Sequence, residues 1–127
     1  MSQTNTLWEI NGQSFEFDLQ DADTAEKYEN AFADMGEREK VLPKDGKPSE
    51  YIKAYHKMFV SLYDDVLGDG CGVKIVGEKA NARICNEAYE SFLEFVAKQK
   101  ASTMEQQNNL INKFSPNRAQ RRANEKK

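Results

Sequence analysis

The sequence predicts an α+β domain, mostly helical, in which an N-terminal β-hairpin is followed by three to four helices and a disordered basic C-terminal tail. Three observations carry that expectation. Asn11-Gly12 stands between two short runs of alternating apolar residues. Apolar residues then recur at spacings of three and four along the later stretches. The charge changes sign near Lys113, which divides a single domain over 1–114 from a tail over 115–127.

The hairpin has the sharpest local signal. Both central residues of a type I′ turn need positive φ, which Asn and Gly tolerate. Trp8 and Ile10 precede the turn, and Phe15, Phe17 and Leu19 follow it, so one face of the ribbon is apolar. A lone hairpin is marginal in water and must pack on something. A first helix follows. Asp23 with Glu26 resembles a capping box, and Ala25, Tyr28, Phe32 and Met35 hold the inward spacing. Gly36 is a candidate stop, with continuation to Val41 as the alternative. Pro43, Asp45-Gly46 and Pro48 then mark a loop.

The second helix opens at Pro48 or Ser49 and closes at Gly68. Its stripe is Ile52, Tyr55, Phe59, Leu62 and Val66, flanked by Met58 and Tyr63. The glycine-rich stretch 68–77 reads as one short helix closed by Gly77, with a short strand as the alternative. A long helix follows from Ala82, with Ile84, Ala88, Phe92 and Phe95 expected inside and Cys85, Tyr89 and Val96 beside them. Beyond Val96 the pattern thins to Met104, Leu110, Ile111 and Phe114, so the second half protrudes or frays. Ser115-Pro116 ends it.

Composition narrows the function classes. The 127 residues are 39% hydrophobic and 31% charged, enough for one core without the bias of a fully disordered chain. The start MSQTNTLWEI has neither the basic nor the apolar region of a signal peptide, and no run reaches the ~18 apolar residues of a spanning helix. Cys71 and Cys85 form no CxxC and read as reduced structural thiols, which places the chain in a cytoplasm.

Motifs for chemistry fail on spacing. Gly70-x-Gly72-x-x-Ile75 lacks the third glycine of a dinucleotide turn, and no Ser or Thr follows Lys74 as a phosphate loop requires. A calcium loop begun at Asp65 would put Leu67 and Val76 at ligand positions. His56 is the single histidine, so no multi-histidine metal site exists, and no nucleophile is placed beside it. The expectation is no enzyme, no cofactor and no metal.

The charge balance is the remaining clue. Lys113, Arg118, Arg121, Arg122, Lys126 and Lys127 stand against Glu125, a net +5. Residues 1–112 carry 12 basic and 20 acidic groups, a net −8, and the two parts give the −3 of the whole. A basic arm admits a nucleic-acid-associated role. However, it holds one aromatic residue, Phe114, and the body repels phosphate. A basic arm equally grips an acidic partner or another copy's acidic body.

The hairpin start, the junction LGDGCGVKIVGEKAN and the ending SPNRAQRR together resemble the small tail assembly chaperones of long-tailed bacteriophages and prophages. The resemblance spans about residues 7–122 and rests on Gly70, Gly72, Ile75, Val76, Gly77 and Asn81. Cys71 and Val73 depart from it, standing where small or polar residues are expected. It implies an assembly factor in the host cytoplasm that coats the helical tape measure protein and keeps it soluble until tail tube subunits replace it. The implied binding residues are the large apolar ones spared by the core: Tyr51, Tyr63, Met104, Leu110, Ile111 and Phe114. The opposite signs of body and tail also suggest head-to-tail contact between copies, which high salt should weaken. The alternative is a small phage nucleic-acid-associated protein acting through its basic tail.

Overall fold

The computed structural model describes residues 5–114, the side chain of Phe114 excepted. Two strands, β1 (Leu7–Ile10) and β2 (Gln13–Glu16), form an antiparallel hairpin with Trp8 opposite Phe15. Asn11 and Gly12 turn the chain with φ of 54° and 72°, the I′ geometry their identities require. Four helices follow: α1 (Ala22–Lys40), α2 (Pro48–Leu67), α3 (Cys71–Val76) and α4 (Ala82–Phe114). The α+β, mostly helical architecture is thus present, and the 68–77 stretch resolves as the short helix. The predicted tail, with Arg118, Arg121, Arg122, Lys126 and Lys127, lies outside the described residues.

Helix α1 differs from expectation at its start and takes the longer of the two expected ends. Its cap is Asp21, whose carboxylate accepts from the Thr24 backbone N–H at 3.0 Å, rather than Asp23. That backbone hydrogen bond holds the Asp21 carboxyl below its ordinary value. The helix runs through Gly36 to Lys40, because the glycine there takes ordinary helical dihedrals and nothing else breaks the ladder. Only Ala31 of α1 is fully buried, with Tyr28, Phe32 and Met35 half-buried. The helix leans chiefly on α2.

The core is an aromatic cluster closed by the hairpin. Trp8, Phe15 and Phe17 point down onto α2 and α4, with ring centroids of Trp8 and Phe92 at 5.1 Å and of Phe17 and Phe92 at 5.3 Å. From α2 come Met58, Phe59, Leu62, Tyr63 and Val66; from α4 come Cys85, Ala88, Phe92, Phe95 and Val96. Ile84 departs from the expected inward stripe and is 39% exposed. One residue is a 100° step on a helix, and Cys85 takes the inward position in the first turn. Asn81 caps that turn by accepting from the Arg83 and Ile84 N–H groups.

Polar side chains tie the hairpin to the last helix. Trp8 Nε1 donates to Ser91 Oγ at 3.1 Å. Gln99 is 2% exposed and makes three bonds: Nε2 donates to Phe17 O at 2.6 Å and to Asn5 O at 3.0 Å, while Oε1 accepts from Leu19 N at 2.8 Å. A buried amide is stable only when so satisfied, and here it replaces a missing third strand beside the ribbon.

Candidate protein-binding surface

The glycine junction builds the scaffold. A Cβ at Gly72 would overlap the backbone of Val60, so glycine is what lets α3 lie directly on α2. Gly70 opens α3 in the left-handed region at φ 89°. The Asp64 carboxylate accepts from Gly72 N–H at 2.7 Å, placing a negative charge where a phosphate cradle would need a donor. Asn11 Nδ2 donates to Ile75 O at 2.8 Å, and His56 Nε2 lies 2.7 Å from Gly77 O, so the hairpin turn and α2 both hold α3. The Asp64, Asn11 and His56 side chains are thus each engaged in holding α3. Among the described residues no group of three or more His, Cys, Asp or Glu side chains is placed to hold a metal ion. Cys71 and Cys85 are free; burial pushes the Cys85 thiol up.

The exposed apolar surface lies elsewhere, along α4. Met104 is 63% exposed, and Leu110 and Ile111 are each 54% exposed. At 33 residues α4 is ~50 Å long, while its last core residue is Gln99. The distal third therefore projects from the body. Between α1 and α4 lies a shallow groove of about 440 Å³, lined by Leu19, Ala25, Tyr28 and Met104. A second depression, about 450 Å³, lies on α4 itself, lined by Tyr89, Leu93 and Ala97 with Glu90 and Glu94 beside them.

These positions sort the sequence-predicted contacts. Met104, Leu110 and Ile111 are free of the core and share one projecting helix. Tyr63 is a correction: it is 0% exposed and packs on Trp8 and Phe92, so it cannot reach a partner. Tyr51 is half-buried and stacked on Tyr55 at 5.6 Å. Phe114 ends α4, and of the basic set only Lys113 falls on the described helix. Leu93, 40% exposed, is a surface residue that the sequence reading missed. Spacing alone does not give it away, because Phe95 and Val96 are also adjacent on α4 and both are buried.

A family of unknown function (DUF6673) matches residues 11–125. The chain belongs to this family. The DUF6673 match begins at the hairpin turn and takes in all four helices, so the junction and the projecting α4 both fall within it. Neither the curated proteins nor the solved structures give a match. No helix among the described residues is long and apolar enough to cross a membrane.

Proposed function

We propose that this member of DUF6673 is a tail assembly chaperone of a long-tailed phage or prophage, acting in the bacterial cytoplasm to bind the tape measure protein and keep it soluble during tail morphogenesis. The observation that carries the reading is the distal part of α4, a helix leaving its own core with Met104, Leu110 and Ile111 exposed. A long helical rod presents apolar stripes that aggregate unless covered. A second helix laid along such a stripe covers it by ridge-and-groove packing. The −8 body would then face solvent and keep the complex dispersed. Many copies on one rod gain avidity from weak single contacts.

The test is co-expression with the long helical protein encoded beside this chain, followed by size exclusion at low and high salt. The expected result is a soluble rod co-eluting with many copies. An insoluble rod, with this chain eluting alone, overturns the reading. Elution with nucleic acid that salt strips away would instead favour action through the basic tail.

A further inference from the structure

A cleft of about 390 Å³ between the end of α1 and the middle of α2 carries charge of one sign. Buried Leu42 and Met58 line it, with Val41, which is 79% exposed, more than any other large apolar residue described. Arg38 and Lys57 are the charged side chains of its lining, and no carboxylate belongs to it. Neither cation has a partner among the described residues. The acids next to Arg38 in sequence are engaged elsewhere. Glu37 pairs with Lys40 at 3.1 Å. Glu39 lies near enough to Tyr55 and Tyr89 to add its charge to the burial that raises both phenols. Two unpaired cations around an apolar floor fit an apolar patch flanked by carboxylates.

The chain presents such a patch on its own surface. The depression on α4 is lined by Leu93 and Ala97 together with Glu90 and Glu94, and by no cation. These four positions are three and four apart, so they share one face of the helix. Glu90 and Glu94 are exposed and have no partner among the described residues. Glu39, beside Tyr89, adds a third acid to this side. Lys98 lines a different hollow, with Asn5 and Phe95. Cleft and patch share no residue, so one copy can offer both at once. A contact between unlike surfaces leaves one of each unused on every pair, and addition continues.

We propose that the Arg38–Lys57 cleft of one copy receives the Leu93 patch of the next, so that the chain self-associates head to tail. Glu90 and Glu94 meet Arg38 and Lys57, and Leu93 packs against Val41. The inference goes beyond the chaperone reading and does not rest on it, since Met104, Leu110 and Ile111 belong to neither surface.

The test uses the full chain alone. Sedimentation at low salt should show a mass that rises past two copies with concentration and falls as salt is added. A monomer at every reachable concentration, or a mass that stops at two copies, overturns the proposal. Val41→Asp spoils the cleft and Leu93→Asp spoils the patch, both at exposed positions. Each alone should be a monomer with unchanged far-UV circular dichroism. Their equimolar mixture should form pairs and nothing larger, because one sound cleft and one sound patch remain. A variant that still associates alone, or a mixture that stays monomeric, sinks the idea. Glu90→Lys with Glu94→Lys should weaken association about tenfold or more at low salt. Adding Arg38→Glu and Lys57→Glu to the same chain should restore it, and no recovery means that these charges do not meet. Deleting 115–127 should change nothing; loss of association would assign the contact to the basic arm instead.

Discussion

Tyr63 and Gln99 are both buried polar side chains, and they behave oppositely. The Tyr63 hydroxyl has no hydrogen-bond partner among the described residues. Burial pushes its phenol above the ordinary value of 10.0. Because the folded-state value is raised, the full stability is present below pH 10, where both states hold the proton. It is lost as pH rises beyond that and the unfolded chain alone ionises. Tyr28, Tyr55 and Tyr89 are shifted the same way by burial and share this alkaline limb. Tyr63→Phe should raise stability at pH 7 by about 1 kcal/mol and make the loss above pH 10 shallower. Urea titrations at pH 7 and at alkaline pH check both, and a less stable variant would point to a partner for the hydroxyl. Gln99→Leu keeps the volume but leaves Phe17 O and Leu19 N–H without their bonds. It should lower stability by about 3 kcal/mol, measured by the same titration.

At the scale of elements, the α3 contact is the tightest. Gly72→Ala forces a methyl into the Val60 backbone, and backbone cannot rotate away as a side chain can. The expected loss is about 3 kcal/mol, with His56 and Asn11 losing their grip on α3. Thermal unfolding with His56 chemical shifts would show both. The outer end of α4 should behave oppositely. A chain ending at residue 106 keeps every buried residue, so its melting point, taken at low protein concentration, should stay within about 2 °C of the full chain.

Much of this level was legible in advance, for local reasons. Asn11-Gly12 dictates its turn without help from the rest of the chain, and Gly68 and Gly77 stop helices where they stand. What escaped depends on neighbours. Whether Ile84 or Cys85 points inward is set by where the hairpin and α2 lie, not by spacing within α4. Tyr63 reads as a flank of the α2 stripe until Trp8 arrives over it. The groove between α1 and α4 exists because α1 leans on α2, and no single segment encodes that.

For the whole molecule, charge governs how it meets other polymers. The −8 domain should be excluded from polyanions at moderate salt, whatever the arm does. Deleting 115–127 should therefore leave retention on a heparin or DNA column unchanged and near zero in about 0.15 M salt. Marked retention of the full chain that vanishes on deletion would transfer the function to the arm.

The bridge from the hairpin to α4 also sets an order in time. Trp8 waits for Ser91, and Phe17 and Leu19 wait for Gln99, between 80 and 83 positions later. The strands emerge first during synthesis, yet the α4 half of their cover is missing until most of the chain has been made. Such distant closure slows folding. A chain interrupted before residue 91 would have Tyr63 and Tyr28 beside Trp8 and Phe17 but neither Phe92 nor Gln99, leaving the apolar face of the hairpin only half covered.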